Sequence, residues 1–423
     1  MNGLKKILKS KTTFDVQWAF WSLLSSAFMH FVLRVIIGKE LGPDALGIYT
    51  IIFTIFLLGI QFANFGIGGA ITKYIAEFSD DREKIQQYIS SGVVGSIISG
   101  SLFGIVLFLF SPILANILFN IPEMEPLLMI SALCFPFVAI QVSTLGAYNG
   151  MRKMNIFAFL SIPLNILIII ITVVFVLFCN LSLFGAVLGL VIPYCFAGIL
   201  SLSLLYKDNW IAIAPFRFDL LKEMTIFGFF FVLATSSSVL NTYISTFLIG
   251  FFLTAGEVGI YSVASTISQI LTVIPSAVQR IITPATAFTY AKNGKKEARK
   301  IFLESAKYSL IITVVLGIFL IVLAPWIISF LFSGEFLPAY EPLVILIIGN
   351  ILFSPIISNG AFFFSIGKIT VPYKVNLIYI AITIGLSIFF IPIFGVVGAA
   401  IATLSVQILS LMAYLLLVWK YTS

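Results

Sequence analysis

Four residues near the N-terminus share a spacing: Ser22, Ser26, His30 and Arg34 recur at steps of four. On a helix that step places all four on one face. Two hydroxyls, an imidazole and a guanidinium in a row form a donor stripe suited to an anion, and a guanidinium is the natural partner of a phosphate. Hydroxyls alone carry less weight, because Ser and Thr in apolar helices commonly bond their own backbone carbonyls. Further polar residues interrupt apolar runs at Gln61 and Asn64, at Thr235, Ser238, Asn241 and Thr242, and at Ser265, Gln269 and Thr272, with Arg280 beyond. Together they are the expected lining of one wet cavity, with Arg34, His30 and Arg280 as its anion-binding groups. Arg34 and Arg280 each lie near the end of an apolar run, where a long cation can also snorkel to the headgroups.

Other chemistries are excluded by what the apolar runs lack. All 17 Asp and Glu residues fall in polar loops or within about two turns of the end of a run. A cavity without a mid-membrane carboxylate has no group to take up a proton or a cationic guest, so an anionic guest fits it better. Cys134, Cys179 and Cys195 lie within apolar runs with no metal-ligand spacing and read as small core residues, so neither a metal nor a cofactor is expected.

The elements that must position these groups follow from composition. The 423-residue chain is 60% hydrophobic and 10% charged, whereas soluble domains carry about 25% charged residues. The fold class is an all-α polytopic membrane protein. Twelve spans are expected, at about 16–38, 45–68, 86–110, 124–147, 155–179, 183–206, 224–250, 257–282, 301–331, 338–365, 370–391 and 395–419. The first is an uncleaved helix rather than a signal peptide. Short loops leave no soluble domain for a separate catalytic site, so no enzyme is expected. Pro136, Pro163, Pro193, Pro275 and Pro355 interrupt spans and are candidate kinks.

Positive charge alternates along this frame. Lys5, Lys6, Lys9 and Lys11 precede the first span. Lys73, Arg82 and Lys84, then Arg152 and Lys153, then Lys207, Arg217 and Lys222, occupy every second loop. Lys292, Lys295, Lys296, Arg299 and Lys300 continue the series, then Lys368 and Lys374, then Lys420. The intervening loops carry Glu123, Glu125, Glu257, Glu335 and Glu341, with Lys39 as the exception. The positive-inside rule therefore puts both termini in the cytoplasm of a cell-membrane protein. Cations scattered in this way are no nucleic-acid patch, despite the net charge of +7.

The chain also repeats itself. LGPDALGIY, Leu41 to Tyr49, is echoed by TAGEVGIY, Thr254 to Tyr261. Phe14-Asp15 is echoed by Phe218-Asp219, Gly150 with Arg152 by Gly367 with Lys368, and Leu183-Phe184-Gly185 by Ile393-Phe394-Gly395. Ordered matches at near-constant offset indicate a duplication. Because six spans separate equivalents, the halves are parallel and related by a pseudo-two-fold axis along the membrane normal. The expected division is an N-terminal lobe at 1–206, a cytoplasmic linker at 207–223 and a C-terminal lobe at 224–423, enclosing a central cavity. Gly47 and Gly259 suit close helix approach.

RVIIGKELGPDALGIYTIIFTI from Arg34, NFGIGGAITKYIAEF ending at Phe78, FGAVLGLVIPY from Phe184 and FGVVGAAIATL from Phe394 resemble polysaccharide-export flippases. These form the polysaccharide transporter branch of the multidrug/oligosaccharidyl-lipid/polysaccharide exporter superfamily. The resemblance covers essentially the whole chain, on loose motifs. It implies a two-lobed, twelve-helix transporter that moves a polyprenyl-(pyro)phosphate-linked oligosaccharide to the outer leaflet, with Arg34 and Arg280 on the helices where related flippases hold a pyrophosphate. The implied partners are the bilayer, that lipid-linked oligosaccharide, a coupling ion (Na+ or H+, for which the sequence offers no site) and glycan polymerase or assembly proteins. Two rival readings stand beside it: a cation-coupled multidrug antiporter, against which the missing mid-membrane acid argues, and a membrane-embedded glycan polymerase, which would need reactive groups in a sizeable outer loop. A major-facilitator transporter is set aside because the loop after the second span reads EFSDDREKIQQY.

Overall fold

A computed structural model describes residues 11–211, 216–368 and 370–422. Lys5, Lys6 and Lys9 of the expected cytoplasmic N-terminus lie outside them. Helices dominate the described chain: α1 (Lys11–Asn64), α2 (Ile67–Glu77), α3 (Arg82–Pro112), α4 (Met124–Ala132), α5 (Phe135–Gly150), α6 (Met154–Val173) and α7 (Ser182–Lys207). After the central loop come α8 (Phe218–Phe252), α9 (Ala255–Ser268), α10 (Val273–Asn293), α11 (Lys295–Leu331), α12 (Tyr340–Ser358), the short α13 (Phe362–Ser365) and α14 (Thr370–Thr422). Nine helical stretches among the described residues are long and apolar enough to cross a membrane, and the bent pair α4–α5 makes ten.

Two of these stretches are longer than any bilayer requires, and each is broken by a glycine. Gly42 (φ 80°) interrupts α1 and Gly395 (φ 60°) interrupts α14, both in the left-handed region where a side chain would be strained. Pro43 follows the first break, where its missing N–H costs nothing. Proline explains two further irregularities. Pro136 at the start of α5 accompanies the 48° bend from α4. Pro275, in the first turn of α10, follows a 3₁₀ turn at Gln269–Thr272 that separates α9 from α10. Pro163, Pro193 and Pro355 sit inside α6, α7 and α12, which stay continuous.

The chain divides into two compact units. The first comprises residues up to Leu41 and Ile52–Val239; the second comprises Gly42–Ile51 and everything from Leu240. In the first, α5 is central, packing on α2, α3 and α7. Its approach to α2 is glycine to glycine, since a side chain on Gly146 would occupy the carbonyl of Gly68. Thr72 closes that crossing by donating to the Gly146 carbonyl at 2.9 Å. At one end of this unit Tyr74 and Tyr88 stack with ring centroids 4.8 Å apart, and Tyr88 donates to Glu223 at 3.1 Å. Burial, with the Glu223 carboxylate beside it, pushes the Tyr74 hydroxyl up to about 12.

In the second unit α12 packs on both α11 and α14. Phe302, Phe363 and Tyr414 form the aromatic heart of one end, and the Tyr414 hydroxyl donates to the Asn359 carbonyl at 2.8 Å. A polar lock recurs in both units. Ser96 on α3 meets Ser143 on α5, while Thr313 on α11 meets Ser354 on α12 at 2.8 Å. The residues of the two pairs are offset by amounts within the range of the sequence echoes. Large apolar side chains such as Phe178, Phe330 and Trp326 stand exposed on helix surfaces, as lipid-facing residues do.

Candidate functional site

The stripe on the first limb of α1 forms as its spacing predicts. Ser22 is buried and donates to the Trp18 carbonyl at 3.0 Å, one turn back. Ser26 Oγ and His30 Nε2 are 3.4 Å apart. The His30 ring packs edge-on against Phe53 at 4.9 Å between centroids, which fixes its plane. Arg34, one turn on, is only 9% exposed. A guanidinium at that depth requires polar company or an anion, because an unpaired buried charge is among the most costly groups a protein can hold.

Two residues absent from the sequence-based set join this stripe. Asn165, in the otherwise aliphatic α6, donates to Ser25 Oγ at 2.9 Å, and Ser25 donates to the Ser22 carbonyl at 2.8 Å. Asn165 carried a signal, since an amide in the run SIPLNILIIII is expensive unless it has a partner. Asn64, in contrast, leaves the expected lining. Its amide nitrogen donates to Ser143 Oγ at 2.8 Å and to the Ala139 carbonyl at 3.1 Å, and its oxygen accepts from the Gly68 N–H at 2.7 Å. Each of its polar groups is engaged in joining α1, α2 and α5 inside the first unit, so Asn64 is a packing lock. Gln61, one turn earlier, is only half-buried.

In the second unit Gln269 donates to Ser265 Oγ at 3.0 Å, on the turn where helix gives way to 3₁₀ geometry. Thr272 donates to the Gln269 carbonyl at 2.7 Å, and Arg280 is exposed on α10. Asn241 donates to Asn376 Oδ1 at 2.8 Å, tying α8 to α14, and its own Oδ1 is buried with no donor. One turn along, Ser245 and Thr403 meet at 3.3 Å. Asn350 links Gln407, whose amide donates to it at 3.1 Å, with the Ser268 carbonyl. Asn376, Asn350, Thr403 and Gln407 were invisible as a set because they lie on helices far apart in sequence. Thr235 bonds its own helix at the Phe231 carbonyl, while Ser238 and Thr242 are exposed on α8.

Arg34 and His30 thus share one face of the first unit, and Arg280 belongs to the second. The described residues hold no cluster of His, Cys, Asp or Glu able to bind a metal ion. What remains is a set of donors and neutral oxygens, which can hold and orient a polar anion.

Comparison with known proteins narrows the reading. Residues 15–290 match the family model described as polysaccharide biosynthesis protein. The chain belongs to that family. A putative O-antigen transporter of Shigella flexneri is 23% identical over 95% of this chain and 96% of the relative. A probable low-salt glycan biosynthesis flippase of Haloferax volcanii is 23% identical, over 91% and 78%. Among solved structures, the fold is shared with a multidrug-resistance transporter in an inward-facing conformation (TM-score 0.78, 16% identity, 94% of each chain). It is shared also with the lipid II flippase MurJ in an inward closed conformation (TM-score 0.75, 18% identity, 96% of this chain and 87% of that one). The family is therefore that of polysaccharide biosynthesis proteins, and the fold is one shared with multi-pass membrane transporters.

Proposed function

We propose that this protein is a flippase carrying a polyprenyl-(pyro)phosphate-linked oligosaccharide from the inner to the outer leaflet of the cell membrane by alternating access. The observation that carries the reading is Arg34, buried at the end of the Ser22–Ser26–His30 stripe. Arg34 holds the phosphate groups through charge-assisted hydrogen bonds, with His30 beside it and Arg280 as a second cation. Hydroxyls and amides of α1, α8 and α9 accommodate sugar hydroxyls, and the prenyl tail stays in lipid. Family membership and the transporter names of its relatives support this class of cargo.

The same proposal includes the finer topology. Counting each limb of α1 and α14 on either side of Gly42 and Gly395 raises the ten stretches to twelve spans. The sequence repeat divides them into lobes at 1–206 and 224–423, and the alternation of Lys and Arg puts both termini in the cytoplasm. A Na+ or H+ gradient drives the cycle, and glycan assembly proteins take up the product. The test is reconstitution: purified protein in vesicles should make an inner-leaflet lipid-linked oligosaccharide accessible from outside, and no transfer above empty vesicles would overturn the proposal.

A further inference from the structure

An apolar groove beside a cationic turn is built into the first unit, away from the α1 stripe. Helices α5 and α7 touch where Gly198 meets Phe137; a side chain at Gly198 would lie 2.6 Å from the Phe137 Cβ. Beyond that contact they part, leaving an apolar groove of about 400 Å³ lined by Ile140, Ile199, Leu202, Ser203, Tyr206 and Ile211. That is within the size range of pockets that hold small ligands. Ile199 and Tyr206 are well exposed, so the groove opens sideways off the helix surface.

The groove ends beside a rigid, cationic turn. Trp210 adjoins Ile211, and its backbone N–H is bound to the Leu205 carbonyl at 2.9 Å. The turn before it is pinned twice more, by Tyr148 donating to Asp208 at 3.1 Å and by Gln86 donating to the Asn209 carbonyl at 2.6 Å. Against the fixed indole stand two cations, the Arg82 guanidinium carbon 5.2 Å and the Lys153 ammonium 5.1 Å from the ring centroid. Lys207, on the last turn of α7, follows the groove residue Tyr206 directly in sequence. Among the described residues none of the three cations has a carboxylate within 4 Å, whereas nearby Lys84 and Arg152 are paired with Asp81 and Asp15. Of the other acids, Glu83 accepts from Gln87 and Asp208 from Tyr148.

A tryptophan flanked by cations is the pattern of the headgroup layer, and cations held there attract anionic lipid. We propose that this feature is a binding site for one anionic phospholipid, with an acyl chain in the α5–α7 groove and the headgroup phosphate among Arg82, Lys153 and Lys207. It takes only its sidedness, the cytoplasmic leaflet, from the topology proposed above. The site works as a fixed clamp rather than a transit route, because the turn carrying Trp210 is held by bonds from three helices.

Native mass spectrometry of the purified, delipidated full chain with added phosphatidylglycerol or phosphatidylcholine tests it. One phosphatidylglycerol should be retained in preference to phosphatidylcholine by on the order of tenfold. The joint variant Arg82→Gln/Lys153→Gln should abolish that preference, and Ser203→Trp, which fills the groove, should lower retention of both lipids. Equal retention of the two lipids by the unaltered protein, a preference that survives Arg82→Gln/Lys153→Gln, or undiminished retention in Ser203→Trp would each overturn the site. Ser203→Trp leaves the charged turn untouched and so decides the matter even if the charge variant misfolds. Because retention requires no translocation, failure here is separable from failure of the flippase reading.

Discussion

Gly47 and Gly259 stand against each other within the second unit, each occupying space that a side chain on the other's segment would need. A side chain on Gly47 would meet the Ala255 carbonyl, and one on Gly259 would meet the Pro43 carbonyl. The two sequence echoes are thus in contact with each other: the GIY phrase of one repeat packs on the GIY phrase of the other. The obstacle in both cases is backbone, so no rotamer change relieves it. Gly47→Val and Gly259→Val should each destabilise the protein by about 1–3 kcal/mol, read as a fall in the melting temperature of the detergent-solubilised protein. Unchanged melting in both would contradict the close approach.

Asn64 hydrogen-bonds to both α2 and α5 in the core of the first unit, whereas Gln61 on the same helix is half-buried. Asn64→Leu strands the Gly68 N–H and should cost about 1–3 kcal/mol of stability. Gln61→Leu should leave melting within about 0.5 kcal/mol of the unaltered protein. Equal melting of the two variants would return Asn64 to the cavity lining.

The Asn241–Asn376 pair allows a sharper energetic test, because Asn241 Oδ1 already lacks a donor. Asn376→Ala leaves the whole Asn241 amide unpaired and should cost about 1–2 kcal/mol. Replacing both by Leu removes every stranded atom and should be milder than the single change, a difference visible in a double-mutant cycle of melting temperatures.

Tyr74 contributes to the pH dependence of the fold at alkaline pH. Its hydroxyl ionises near 12 in the folded protein, against about 10 in an unfolded chain. The folded state therefore binds the proton more tightly, so its contribution is fully present below pH about 10 and is lost as pH rises to about 12. Tyr74→Phe should flatten the fall in melting temperature across that window.

Much of this architecture was legible because bilayer physics writes itself into composition. The apolar runs, the echoed GIY phrases and the i,i+4 stripe ending at Arg34 all follow from one-dimensional spacing. Pro136 and Pro275 marked real irregularities, since a missing N–H leaves its trace wherever it sits. Pro163, Pro193 and Pro355 did not, because neighbouring helices decide whether a proline bends or is absorbed. The polar contacts were harder to read. Asn64 and Asn241 look alike as single amides in apolar runs, yet one locks three helices and the other pairs with Asn376 across 135 residues. Which partner an amide finds is a property of packing between helices, and periodicity along one helix carries no record of it.

Arg34 is the residue proposed to hold the phosphate of a lipid-linked oligosaccharide. The direct measurement is the rate at which vesicles containing Arg34→Ala, Arg34→Lys or the unaltered protein expose that lipid to an external probe, at matched protein content. Arg34→Ala should slow flipping by about tenfold to a hundredfold, the loss expected for a charge-assisted hydrogen bond. Arg34→Lys, which keeps the charge and loses the two-pronged geometry, should fall between. Flipping by Arg34→Ala at the rate of the unaltered protein would contradict the account.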